Sequence, residues 1–308
     1  MKIVFMGTPD FAVPCLRRLM EDGHEIAGVF TQPDKPKGRK QILTMPPVKA
    51  LALEYHIPVF QPQKMRDGSA YSILKDLAPE LIVVVAYGKI LPEDILNLPR
   101  YGCLNIHGSL LPAYRGAAPI QWAVLNGEKT AGVTAMQMDA GLDTGDMIQS
   151  VQTEIGANET AGELYERLSR LGASLLSQTI TDIAAGRAKR TPQDDSLSSY
   201  APILSKELSP IDWHKSAVAV HNQVRGLSPW PTACTRLDGK TLKIHRAVLA
   251  GPGKGEPGTV VTENPLTIAC GDGNMVKILE LQYEGGKRME AEAFVRGHHI
   301  PKGTRLGE

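Results

Sequence analysis

Six consecutive positions, Leu81–Ala86 (LIVVVA), carry no polar side chain. A strand that is apolar on both faces must be covered on both, which is the situation of a parallel sheet flanked by helices. The N-terminus supplies a matching connection. Lys2–Met6 reads as a strand ended by Gly7-Thr8-Pro9-Asp10, and Phe11–Glu21 places Leu16, Leu19 and Met20 at helical spacing. After an Asp22-Gly23 turn, Ile26–Phe30 reads as a second strand, completing a βαβ unit. Cys103–His107 and Val133–Met138 are expected to be further strands, with a helix at Pro119–Leu125 between them and a long amphipathic helix over Thr160–Ala185.

Residues 186–210 change character, with Thr191-Pro192, Asp194-Asp195 and several serines among basic residues, which is linker composition. Beyond it, one helical segment (Ser216–Leu227) precedes short strands separated by Asp238-Gly239, a Gly251–Gly258 loop, Asn264-Pro265 and Gly271-Asp272-Gly273. Such spacing suggests a small β-barrel, with an OB-type barrel among the candidates. The expected fold class is therefore α/β. A Rossmann-like, mostly parallel sheet occupies an N-terminal domain at 1–189, a linker covers 190–206, and a small OB-like barrel domain covers 207–308.

Apolar residues make up 42% and charged residues 22% of the 308 positions, as in an ordinary globular protein. The net charge of +1 excludes a wholesale basic surface, so any nucleic-acid binding must come from local patches. Cys15, Cys103, Cys234 and Cys270 show no C-x-x-C spacing, which suggests buried thiols in a reducing compartment rather than a zinc or disulfide framework. No leader and no 18-residue apolar run is visible, so a cytoplasmic protein with no membrane partner is expected.

Ligands of open α/β sheets bind at the carboxyl ends of the strands. The strand Cys103–His107 ends in Asn105-Ile106-His107-Gly108, and alternation puts Asn105 and His107 on one face. An amide and a protonated imidazole pointing together can both donate to a developing oxyanion. The plainer alternative is that His107 caps the strand by bonding a neighbouring carbonyl. Ser109-Leu110-Leu111-Pro112 follows directly, and two leucines and a proline after a strand end make a better wall for a flat aromatic ligand than a solvated loop. Met138–Asp146 supplies carboxylates after another strand, either as turn acids or as partners able to hold His107 protonated. Its spacing is not that of a calcium loop. Lys35, Lys37, Arg39 and Lys40 crowd a segment that Pro36 and Gly38 keep from being helical, on the same rim of the sheet. A cationic loop at the mouth of a pocket implies a large polyanionic substrate.

Taken together, N-x-H-x-S-L-L-P-x-Y-R-G at 105–116 and D-x-G-L-D-T-G-D at 139–146 resemble the 10-formyltetrahydrofolate-dependent formyltransferases. The resemblance implies Asn105, His107 and Asp143 as the catalytic set and Ser109, Leu110, Leu111 and Pro112 as folate-binding wall. Gly7–Ala12, Thr31–Asp34 and Arg225–Pro231 are similar to the branch of that family whose acceptor is methionyl-initiator tRNA. That branch implies a basic loop (Lys35, Lys37, Arg39, Lys40) at the tRNA acceptor end, an OB-like domain on the tRNA's inner face, 10-formyltetrahydrofolate as co-substrate, no metal, and a monomer. An amino-sugar nucleotide as acceptor and a formyltetrahydrofolate hydrolase domain remain alternatives. A dinucleotide-binding dehydrogenase does not, because Gly7-Thr8-Pro9-Asp10 lacks G-x-G-x-x-G.

Overall fold

The computed structural model describes residues 1–38 and 41–307. The first part of the chain runs β1 (Lys2–Gly7), α1 (Val13–Glu21), β2 (Glu25–Phe30), β3 (Lys35–Lys37), β4 (Ile42–Thr44), α2 (Pro47–Glu54), β5 (Val59–Phe60), α3 (Ser69–Leu77), β6 (Leu81–Val85), α4 (Glu93–Leu96) and β7 (Cys103–His107). It continues with β8 (Arg115–Gly116), α5 (Pro119–Leu125), β9 (Thr130–Gln137), β10 (Met147–Glu154), α6 (Ala161–Ala184) and β11 (Tyr200–Ala201). The remainder holds α7 (Ala217–Gly226), β12 (Ala233–Leu237), β13 (Lys240–Pro252), β14 (Val260–Thr262), β15 (Thr267–Ala269), β16 (Asn274–Tyr283), β17 (Met289–Glu290) and α8 (Ala291–Gly297). Among the described residues two compact units form: Met1–Pro119 with Ala131–Thr153 and Tyr165–Ala201, and Ile120–Thr130 with Glu154–Leu164 and Pro202–Glu308.

The first unit is built on a sheet of order β10-β9-β7-β6-β1-β2-β5. From β5 through β2, β1 and β6 to β7 every pairing is parallel, and β9 then runs antiparallel to β7. Ile3, Val4, Phe5 and Met6 on β1 and Leu81, Ile82 and Val83 on β6 are wholly buried, so Leu81–Val85 fills the sheet centre, while Ala86, just past the strand, is exposed. Each such side chain contributes about 1.5–3 kcal/mol when removed from water.

Two segments differ from their sequence expectation. The basic segment is not an irregular loop, because β3 pairs antiparallel with β4 in the register Lys35↔Thr44 and Lys37↔Ile42. Pro36 cannot donate to a ladder, yet on a two-strand ribbon with an open edge that loss costs little. The base of the hairpin is pinned by Asp34, which receives Lys49 Nζ at 2.7 Å and Gln61 Nε2 at 2.9 Å. These two donors, Lys49 first, hold the Asp34 carboxyl below its ordinary value. The second segment lies within the expected linker. Through Ala201 it belongs to the first unit, where β11 adds to β8 in parallel as Tyr200↔Arg115 and Ala201↔Gly116.

In the second unit the strands run β12-β13-β16-β15-β14, with β17 also on β16, and every pairing is antiparallel. Ser216 caps α7 by accepting the Ala219 N–H at 3.2 Å. The buried face of α7 carries His221, Asn222 and Arg225. Arg225 Nε donates to Asn222 Oδ1 at 2.9 Å, and its Nη1 donates to the carbonyls of Gly156 and Glu159 at 3.3 and 3.2 Å. A buried guanidinium is tolerated because these acceptors replace water. All four cysteines are free, and burial pushes the Cys15, Cys103 and Cys270 thiols up to about 12.

Candidate active site

The strand β7 is buried along its whole length between β6 and β9, and its last residues stand at the carboxyl end of the parallel run. Asn105 lies opposite Met136 and His107 opposite Thr134, two residues apart and so on one face of the pleat. Asn105 is 8% exposed and His107 6%. A buried amide ordinarily finds partners within the protein, yet the Asn105 side chain makes no hydrogen bond to any described residue. Its donor and acceptor are left for whatever enters the site.

His107 is committed at one nitrogen. Nε2 lies 2.9 Å from the Tyr114 carbonyl oxygen, and since a carbonyl only accepts, that nitrogen carries a proton. The strand-cap reading of this residue is met at Nε2, and Nδ1 lies outside that bond. Nδ1 faces Asp143 Oδ2 at 3.7 Å, an ion-pair separation longer than a hydrogen bond. Nδ1 is therefore the nitrogen left outside the Tyr114 bond, beside a carboxylate whose side chain is 14% exposed.

Asp143 sits in the left-handed region at φ 55°, an uncommon conformation for a residue with a side chain, though one Asp tolerates better than most. Its Oδ2 accepts the Gly116 N–H at 2.8 Å. Its backbone carbonyl and that of Gly145 each accept from Gln193 Nε2 at 2.8 Å. Gly145 is required here, because a Cβ would fall 1.8 Å from the Gln137 carbonyl oxygen. Asp139, earlier in the same loop, is a turn acid: its Oδ1 accepts the Gly141 N–H and the Thr144 hydroxyl at 3.0 and 2.7 Å. Of the acids in this loop, Asp143 is the one brought to His107.

The expected ligand wall is partly internal. Ser109 donates its hydroxyl to the Ala113 carbonyl at 2.6 Å, and Thr134 ties the same turn by donating to the Ser109 carbonyl at 2.7 Å while accepting the Leu111 N–H at 3.2 Å. Leu111 is only 7% exposed, so it is packed as core rather than presented as a surface leucine. Leu110 and Pro112 are half-buried. Of the basic segment, Lys35 lies in β3 and is exposed, while Arg39, Lys40 and the side chain of Lys37 lie outside the described residues.

Sequence reasoning missed the residues that hold the site together, namely Thr134, Gln193 and the Gly116 backbone. Gln193 lies in the stretch read as a linker, and a backbone donor has no residue-type signature. The R-G pair at 115–116 was the available signal: Gly116 has φ 113° and a Cβ would meet the Tyr200 ring at 2.6 Å.

Comparison with known proteins bears on the whole chain. Residues 1–180 match the formyl transferase family, and residues 203–299 match the formyl transferase C-terminal domain. A methionyl-tRNA formyltransferase of Geobacter sulfurreducens is 52% identical over 310 residues, covering 100% of this chain and 97% of its own. One of Alkaliphilus oremlandii is 51% identical over 311 residues, covering 100% of both. Among solved structures, an N-formyltransferase from Helicobacter canadensis in complex with folinic acid and dTDP-3-aminofucose superposes with a TM-score of 0.69 at 22% identity, over 90% of this chain and 98% of its own. HypX from Aquifex aeolicus in complex with tetrahydrofolic acid superposes with a TM-score of 0.65 at 18% identity, over 96% of this chain and 47% of its own. At that identity the two structures speak for the fold.

Proposed function

The chain belongs to the formyl transferase family, and from that premise we propose that it moves the formyl group of 10-formyltetrahydrofolate onto the free amine of methionyl-initiator tRNA, in the cytoplasm. The observation that carries this reading is identity of about half, end to end, with methionyl-tRNA formyltransferases of Geobacter and Alkaliphilus species. The site supports it with a buried amide that has no hydrogen-bond partner among the described residues, beside a histidine whose Nδ1 faces a carboxylate.

The donor would present its formyl group to the unpartnered Asn105 amide, with the half-buried Leu110 and Pro112 as apolar wall. The donor supplies an activated one-carbon acyl group. Asn105 donates to the formyl oxygen as negative charge gathers there during attack by the methionyl amine. His107, held by the Tyr114 carbonyl through Nε2, offers Nδ1 for that same charge and then gives a proton to N10 of the folate, which leaves as tetrahydrofolate when its bond to the formyl carbon breaks. Asp143, 3.7 Å from Nδ1, orients His107, accepts the proton lost by the attacking amine, directly or through water, and returns it to His107. Holding both large reactants in register accounts for much of the acceleration. The cations of the β3–β4 hairpin, on the same rim, contact the tRNA backbone.

A formylation assay with 10-formyltetrahydrofolate as donor tests the acceptor. Charged initiator tRNA should be formylated, and a dTDP-amino sugar should not. Turnover of the sugar with no turnover of the tRNA would replace this reading by the amino-sugar one, which the Helicobacter neighbour's bound nucleotide sugar favours.

A further inference from the structure

The segment after α6 does more in the first unit than join two parts of the chain. Gln193 lies at the centre of a closed set of hydrogen bonds. Its Nε2 donates to the carbonyls of Asp143 and Gly145, both at 2.8 Å. Its Oε1 accepts from Arg115 Nε at 3.1 Å and Arg115 Nη2 at 2.9 Å. The residue after Arg115, Gly116, donates its N–H to Asp143 Oδ2 at 2.8 Å. The circuit therefore returns to its start: Asp143 is gripped by its backbone through Gln193 and by its carboxylate through Gly116, and Gln193 and Gly116 are linked through Arg115. The amide orientation admits no alternative, since a guanidinium only donates and the two carbonyls only accept.

Asp143 needs such support. Its backbone is in the left-handed region, an uncommon state for a residue with a side chain, and the loop around it is otherwise held by its own turn bonds. Arg115 adds a second anchor at Asp195 at 2.7 Å, but that carboxylate is 82% exposed and the pair contributes little. Gln193 is half-buried, and its amide nitrogen donates to two carbonyls of the Asp143 loop, with a longer contact to Met136 Sδ at 3.9 Å.

We propose that Gln193 is the positioning residue for Asp143, fixing the distance and angle at which the carboxylate meets His107 Nδ1. This rests on the reading of Asp143 as part of the catalytic set. The role belongs to the donating half of the amide, and the accepting half only ties Arg115 in place.

Two substitutions separate the halves. Gln193→Glu keeps an oxygen for Arg115 and replaces the two donors with a second oxygen facing two carbonyls. Gln193→Leu removes both halves without adding charge, and serves where the glutamate variant does not fold. Both are assayed for formylation of charged initiator tRNA alone and in an Asp143→Asn background, with thermal unfolding as the control on folding. The expected result is a roughly tenfold to hundredfold fall in kcat, the range typical of outer supporting residues, with KM for both substrates within about twofold. In the Asp143→Asn background either substitution should add no further loss, because its route to the chemistry is already gone. Wild-type kcat in folded Gln193→Glu, or a fall that repeats in full in the Asp143→Asn background, would overturn the proposal. If Asp143→Asn itself keeps wild-type kcat, the catalytic reading of Asp143 fails first and this inference falls with it.

Discussion

At the scale of single residues, His107 meets Asp143 and shares a strand face with Asn105, but the three are held unequally. Asn105 has no hydrogen-bond partner among the described residues, so Asn105→Ala should leave stability close to wild type while lowering kcat by about a hundredfold or more, as removal of an oxyanion donor does. His107→Ala and Asp143→Ala should show similar falls, and a triple variant should be little worse than the worst single one, because groups that act on one transition state do not contribute additively. Steady-state rates of folded variants decide this, and near wild-type kcat for His107→Ala would remove it from the site. Leu111 belongs to a different account. Because it is buried, Leu111→Asp should lower stability by about 3 kcal/mol or more in urea titration, and weaker folate affinity there would report on folding rather than on the pocket.

His221 makes a pH-dependent contribution. Burial, aided by the Arg225 charge, pushes its pKa from 6.5 down to about 4, and its Nε2 has no hydrogen-bond partner among the described residues. The folded value is the lower one, so between 6.5 and 4 the unfolded chain takes up a proton that the folded chain refuses. The stability associated with neutral His221 is complete above that window and is lost as pH falls through it. Denaturant unfolding at several pH values should show wild type losing more stability than His221→Gln across this range. Equal losses would mean that His221 does not titrate as its surroundings require.

At the scale of elements, the hairpin β3–β4 combines cations with exposed apolar side chains, since Ile42 and Leu43 are 62% and 67% exposed beside Lys35. Replacing Lys35, Lys37, Arg39 and Lys40 by serine should flatten the dependence of log K for tRNA on log salt by roughly one unit for each phosphate that is no longer neutralised. Binding of the folate donor should not change. Parallel salt slopes for the two proteins would take the hairpin out of the tRNA interface. The segment was recognisable as basic and non-helical from Pro36 and Gly38. Its pairing was not, because three-residue strands are too short for a period of two to be read.

At the scale of the whole molecule, the second unit draws on Ile120–Thr130 and Glu154–Leu164 as well as on Pro202–Glu308. Within it Arg225 holds the carbonyls of Gly156 and Glu159, and the Trp122 indole donates to the Pro202 carbonyl at 2.8 Å. A chain ending at residue 201 keeps these early segments and loses what they pack on, so it should melt at lower temperature and less cooperatively than the intact protein. A chain ending at 189 should fare worse, losing Gln193 and the β8–β11 pairing as well. Circular dichroism melts of the three proteins make the comparison, and an unchanged melting temperature for the 1–201 chain would refute it.

The sequence by itself determined the parallel core and the facing pair Asn105 and His107. Apolar runs such as Leu81–Ala86 can be satisfied only by burial on both faces, and a period of two leaves no choice about which residues share a side. The antiparallel entry of β9, the pairing of β8 with β11, the Gly116 N–H on Asp143 and the reach of Gln193 were decided only in the tertiary structure. Each depends on backbone N–H and C=O groups that every residue but proline carries alike, so nothing in the side chains marks which distant group will supply the partner.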